Sequence, residues 1–211
     1  VAGITAASAD NGVGIAGVAP GASILPVRVL GATGSGWSTD VAAGIVFAAD
    51  TGADVINLSL GSSGQSSSMA NAIDYAHANG TVVLAAAGNG GPSGSTHYPA
   101  AGNNTIAVAS VTSSGSVSGF STWGSYVDLA APGSSIVSTL PGGNYGYKSG
   151  TSMATPFAAG VVALMLHANP TMSPDQVASR LVSTANDAGS AGRDVQYGHG
   201  IIDPQSAVTG T

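Results

Sequence analysis

Ser152 lies in the run Gly150-Thr151-Ser152-Met153-Ala154-Thr155-Pro156, where a glycine-led turn delivers a hydroxyl to the start of a long apolar segment. At a helix N-terminus that oxygen sits near backbone N–H groups without intrahelical partners and near the positive end of the helix dipole. Negative charge developing on an attacked carbonyl is tolerated there, so the position suits a nucleophile for acyl transfer. A helix-capping serine has the same local geometry. Asn89, in Ala86-Ala87-Gly88-Asn89, can present its side-chain amide to such an oxyanion, but it also reads as a turn asparagine between glycines. The chain has no cysteine, which excludes thiolate metal sites, disulfides and a cysteine nucleophile.

These residues need a scaffold, and the hydrophobic periodicity supplies one. A helix is expected from Ser152 to Ala168, with Pro156 early enough that its missing N–H costs little. Upstream, residues 1–9 read as the tail of a helix and Ser23 to Leu30 as a strand. A helix capped by Ser38 or Thr39 runs to Ala49, a strand spans Asp54 to Leu60, and a helix spans Ser68 to Asn79. Thr81 to Ala87 is apolar without alternation, as in a parallel strand buried on both faces. Thr105 to Val111 is a further strand, and residues 117–147 hold several short ones broken by Gly and Pro. Ser173-Pro174-Asp175-Gln176 is a capping box opening a last helix. The alternation of strand and helix predicts an α/β protein with a mostly parallel sheet and helices on both faces. In such sheets active groups gather beyond the carboxyl ends of strands. Ser59-Leu60-Gly61, Ala86-Ala87-Gly88-Asn89 and the turn before Ser152 all fall there.

Composition narrows the function. At 211 residues the chain is one domain with room for a substantial core. Four Lys and Arg against ten Asp and Glu cannot clothe a nucleic-acid surface, so nucleic acid is not expected as a partner. The longest apolar run, Phe157 to Leu166, is too short to span a bilayer, and no membrane partner is expected. An acidic, lysine-poor surface suits a secreted, extracellular protein. Gly12-x-Gly14-x-x-Gly17 has the spacing of a dinucleotide fingerprint, but that motif needs a strand before it and a helix after it, the reverse of the order here.

Over nearly its whole length the sequence resembles the subtilisin-like serine peptidases, most closely the thermitase-like branch. The resembling blocks are Val1-Ala2-Gly3-Ile4, Gly17-Val18-Ala19-Pro20, Val27-Arg28-Val29-Leu30, Asp54 to Gly61, Ala85 to Asn89, Phe120-Ser121, Ala131-Pro132-Gly133 and Ser149 to Pro156. The resemblance implies a Ser-His-Asp endopeptidase in which Ser152 is the acylated nucleophile. Asn89 then donates the oxyanion hydrogen bond together with the Ser152 N–H. Gly34-Ser35-Gly36 and Ser59-Leu60-Gly61 become the two edges between which an extended protein or peptide substrate pairs as an added strand. Ala86, Ala87 and Gly88 wall the pocket for the substrate side chain preceding the scissile bond (P1), and His97 stands at its floor, where it would shorten it.

The departures from the family bear on mechanism. The family's order is Asp, His, Ser, and its His lies in a block immediately followed by Val-Ala-Gly. Val1-Ala2-Gly3 matches that continuation, so the catalytic Asp and His are expected upstream of Val1, and His77, His97, His167 and His199 do not match the position. Phe157 replaces a second, non-catalytic His found in many relatives. Structural Ca²⁺ is implied in the loop 9–15, held by Asn11 and the carbonyls of Ala9, Val13 and Ile15, a hard-oxygen set that suits calcium. A propeptide or a complementing N-terminal segment is the expected protein partner, and residues 1–211 alone are expected to be inactive and not stably folded. The competing class is a non-catalytic module of the same fold that binds peptides without cutting them.

Overall fold

A run such as Val82-Val83-Leu84-Ala85-Ala86 is stable only where both faces of its sheet are covered, and the computed structural model, which describes residues 1–210, covers both. In chain order the elements are α1 (Ala2–Ala6), α2 (Ser38–Asp50), β1 (Val55–Leu58), α3 (Ser67–Ala78), β2 (Val82–Ala86), β3 (Ile106–Val111), β4 (Leu129–Pro132), β5 (Ile136–Leu140), β6 (Asn144–Lys148), α4 (Thr151–Ala168), α5 (Pro174–Ser183) and α6 (Pro204–Thr209). Strands β1 to β4 form a parallel sheet in sequence order, and β5 and β6 form an antiparallel hairpin beside it. The register pairs Asn57 with Leu84, Ala85 with Ala107, and Val108 with Leu129.

Side chains alternate across the parallel sheet. Val82, Leu84, Ile106, Val108 and Leu129 point to one face, against Ala158, Val161, Val162 and Met165 of α4 and Val177 and Leu181 of α5. Ile56, Leu58, Val83, Ala85 and Ala107 point to the other, against Val41 and Ile45 of α2 and Ile73 and Ala76 of α3. Burying a leucine such as Leu84 contributes about 1.5–3 kcal/mol relative to exposure, and Leu84 is fully buried. Helix α4 is 18 residues long and apolar enough, by length and composition alone, to cross a membrane, which the shorter Phe157–Leu166 run does not suggest. Its packing identifies it as the central core helix, touching all four parallel strands as well as α1 and α6.

Three expectations from the sequence are corrected. Residues 23–30 form no strand and join no ladder; Val27 and Val29 instead pack over Gly44 of α2. Helix α2 begins at Ser38 itself, with Trp37 as N-cap and no side-chain cap bond, so neither Ser38 nor Thr39 performs that role. The capping box at Ser173 and Gln176 is formed, but α5 is not the last helix. Asp203, whose carboxylate accepts from the Ser206 N–H, opens α6 directly before Pro204. An Asp-Pro pair of that kind is a helix-start signal that was legible in the sequence.

Candidate active site

Helix α4 starts at a point set from outside it. The Gly150 N–H donates to the Gly133 carbonyl at 2.9 Å, and the Gly133 N–H donates to Val111 at 3.0 Å, so the turn hangs from the carboxyl ends of β3 and β4. A Cβ at Gly133 would lie 2.8 Å from the Gly150 carbonyl oxygen and clash with the Ser110 hydroxyl, so only glycine permits this approach. The N-cap is Gly150, not Ser152. The capping reading of Ser152 is thereby excluded: its hydroxyl instead donates to the Ser59 carbonyl at 3.2 Å.

Asn89 follows the end of β2, and its amide is oriented by Thr151. Its Oδ1 accepts from the Thr151 N–H at 2.9 Å and from the Thr151 hydroxyl at 3.0 Å. That hydroxyl in turn accepts from the Gly88 N–H at 3.2 Å, which leaves its single proton for Asn89. Since Oδ1 must be the accepting atom, Nδ2 is turned away from Thr151, and it has no partner among the described residues. A carbon placed on Gly150 would lie 3.6 Å from Asn89 Nδ2 and 3.7 Å from both the Ser152 nitrogen and Asn89 Oδ1, the last already engaged by Thr151. Two N–H donors without acceptors thus flank one small volume at the positive end of α4, an arrangement able to hold an oxyanion. Thr151 escaped the sequence reading; only its adjacency to Ser152 marks it.

A second set of expected residues meets around His97. A Cβ at Gly61 would lie 2.5 Å from His97 Nε2, and one at Gly88 would lie 3.0 Å from its Cγ. The imidazole therefore lies against both glycines. Ser62 and Tyr98 exchange two backbone hydrogen bonds of 2.8 Å, tying the segment after β1 to the segment that carries His97. The Tyr126 hydroxyl donates to the Ala87 carbonyl at 2.7 Å and tethers the Ala86–Gly88 segment. Burial pushes the His97 pKa below the usual histidine value by disfavouring the charged form. Gly34, Ser35 and Gly36 lie exposed in the turn that enters α2, with Gly31 donating to the Ser35 carbonyl at 2.9 Å.

None of the four imidazoles is hydrogen-bonded to Ser152. His77 pairs with Asp175 at 3.0 Å, His97 lies against Gly61 and Gly88, His167 is in the last turn of α4, and His199 is tied by its backbone N–H, which donates to the Asp128 carbonyl. In the loop 9–15, Asn11 Oδ1 accepts from the Val13 N–H at 2.9 Å, while the carbonyls of Ala9, Val13 and Ile15 accept no backbone hydrogen bond. These hard-oxygen groups fit calcium in kind, but four are fewer than the six to eight it takes. Among the described residues no cluster of three or more His, Asp or Glu offers an alternative metal site.

Known proteins share this sequence and this fold. The subtilase family model matches residues 1–200. The chain is 49% identical to subtilisin E of Bacillus subtilis over 206 residues, which cover 96% of the chain and 53% of subtilisin E. It is 50% identical to thermitase of Thermoactinomyces vulgaris over 207 residues, covering 98% of the chain and 72% of thermitase. The chain thus spans about half the length of subtilisin E. Among solved structures, a protease of Pseudoalteromonas arctica superposes with a TM-score of 0.92 at 41% identity, over 99% of this chain and 69% of that one. Fervidolysin of Fervidobacterium pennivorans, a keratinolytic enzyme related to subtilisin, superposes with a TM-score of 0.90 at 37% identity, over 100% and 35%. With the parallel sheet, the glycine-held turn before α4 and these likenesses together, the chain belongs to the subtilase family of serine peptidases.

Proposed function

We propose that this chain is the greater part of a secreted, extracellular serine endopeptidase domain. The observation that carries the reading is the pair of acceptor-free donors, Asn89 Nδ2 and the Ser152 N–H, beside a serine hydroxyl at the start of α4. Ser152 Oγ attacks the substrate carbonyl carbon, and its proton passes to a histidine on a segment outside residues 1–211, oriented by an aspartate there. The carbonyl oxygen becomes an oxyanion between the two donors. Collapse breaks the C–N bond, the histidine returns the proton to the leaving amine, and water then hydrolyses the acyl-serine by the same steps.

Two features support a complementing segment. Strand β1 is the edge of the parallel sheet, so its outer N–H and C=O groups have no ladder. Asn57 Oδ1, on that strand, is buried without a hydrogen-bond donor. Groups of this kind are rarely left unpaired in a folded protein. A segment carrying the histidine and aspartate and lying along β1 supplies donors for both. A propeptide is a second expected partner. Protein or peptide substrates lie extended between Gly34–Gly36 and Ser59–Gly61, with the P1 side chain between Ala86–Gly88 and His97. Asn11 and the Ala9, Val13 and Ile15 carbonyls would hold a structural Ca²⁺, which would stiffen the loop and take no part in the reaction.

Treating the longer protein that contains this chain with phenylmethanesulfonyl fluoride tests the reading. Peptidase activity is expected to disappear as one sulfonyl group attaches to Ser152, located by peptide mapping. Binding of extended peptides with neither turnover nor labelling would establish the competing peptide-binding module instead. A finer expectation concerns His97, whose imidazole fills the space between Gly61 and Gly88. His97→Gly should raise kcat/KM for large aromatic P1 residues, relative to small aliphatic ones, by about tenfold, the scale on which pockets discriminate by size. Identical profiles of the two proteins on a P1 peptide library would remove His97 from the pocket.

A further inference from the structure

Pro156 has no N–H, so the carbonyl four residues earlier in α4, that of Ser152, cannot receive its intrahelical hydrogen bond. That carbonyl belongs to the proposed nucleophile and lies in the part-buried start of a core helix, where an unserved acceptor is costly. It is served from another element: the Ser59 hydroxyl donates to it at 3.1 Å. The direction of this bond is fixed, because Ser59 Oγ also accepts from Asn57 Nδ2 at 2.9 Å and a hydroxyl has one proton to give. In return the Ser152 hydroxyl donates to the Ser59 carbonyl.

Residues 59 and 152, 93 apart in the chain, are therefore joined by two reciprocal bonds, one on the main chain and one on the side chain of Ser152. During attack the second must break, because Ser152 Oγ passes its proton to the base. The first does not involve the reacting atoms and persists. We infer that Ser59, oriented by Asn57, is a positioning residue: through the carbonyl that Pro156 leaves free, its hydroxyl holds the Ser152 main chain, and with it the Ser152 N–H donor, during acyl transfer. The inference rests on the serine peptidase reading above for its effect on rate, though not for the bond itself.

The experiment is a double-mutant cycle between Ser59→Ala and Pro156→Ala in the longer, active protein. Ser59→Ala should lower kcat for a peptide amide about tenfold with KM little changed, the scale of one lost orienting hydrogen bond in a catalytic site. Ser59→Thr, which keeps the hydroxyl, should retain most of kcat. In the Pro156→Ala background residue 156 regains an N–H able to reach the Ser152 carbonyl, so Ser59→Ala should there cost less than about threefold. Unchanged kcat in Ser59→Ala, or the same fold-loss in both backgrounds, overturns the inference. Urea midpoints of the four proteins report the same coupling without catalysis: Ser59→Ala should destabilise less when Pro156 is absent, and additive midpoints overturn the bond. A wild-type protein with no turnover and no sulfonyl label at Ser152 would sink the peptidase reading alone, leaving the urea cycle to decide the role of Ser59.

Discussion

Residues 1–211 expressed alone will show no peptidase activity above background and no cooperative thermal transition. The loss of activity follows from Ser152, whose hydroxyl is held by a backbone carbonyl and meets no imidazole among the described residues. A neutral hydroxyl is a poor nucleophile, and removal of the histidine alone lowers kcat of subtilisin by about 2 × 10⁶, a magnitude carried over from that enzyme. The loss of stability follows from β1, where one edge of the ladder is unpaired and Asn57 Oδ1 is buried without a donor. Each buried polar group left unserved costs about 1–3 kcal/mol, so a few of them exhaust a net stability of about 5–15 kcal/mol. Calorimetry and a casein-digestion assay on the isolated 211 residues check both halves. A sharp transition accompanied by digestion would refute them, whereas recovery of both on adding the upstream segment in trans would support them.

Asn89→Ala in the longer protein will lower kcat by about 10²–10³ with KM almost unchanged, the effect that loss of the oxyanion-hole asparagine has in subtilisin and carried over from it. The split between the two constants is the informative part. Asn89 lies beyond the buried strand β2 and is exposed, so its removal opens no core cavity. In the mechanism proposed above its Nδ2 serves an oxygen whose negative charge develops only on the way to the tetrahedral intermediate, so substrate binding should barely register the change. The substitution also leaves the Thr151 N–H and hydroxyl without their acceptor. Asn89→Asp separates the two effects: it keeps an oxygen for Thr151 but has no N–H for the oxyanion. Both variants should be slow, and a normal kcat in either would remove Asn89 from the mechanism.

The fold was legible wherever burial writes an unambiguous pattern. Val82 to Ala86 and Ile106 to Val111 are wholly buried and carry no alternation, and the α2 and α3 stripes point to one face of the sheet as their periodicity required. Residues 23–30 have the same strand-like composition but no ladder, since pairing depends on a neighbour that composition does not reveal. Ser152 and Asn89 could be picked out because strand ends and helix starts attract chemistry, and the family resemblance supplied their roles. Thr151 could not, and Ser59 was marked only as part of a substrate edge, as the contributions of their hydroxyls lie in which way a proton points. Such direction emerges only once Gly88, Asn89, Asn57 and the carbonyl freed by Pro156 are seen together in space.

The polar framework around Ser152 on this chain consists of uncharged groups: Asn57, Ser59, Asn89 and Thr151, backed by the hydroxyl chain Ser110–Ser118–Ser134. The two ion pairs among the described residues, His77–Asp175 and Arg193–Asp128, involve none of these groups. Mobile salt screens charges, with a Debye length of about 3 Å at 1 M, but has little hold on short bonds between neutral dipoles. The framework is thus indifferent to ionic strength and, having no group that titrates near neutrality, to the proton concentration around it. Brine and fresh water meet the same cradle, which suits the secreted peptidase proposed above.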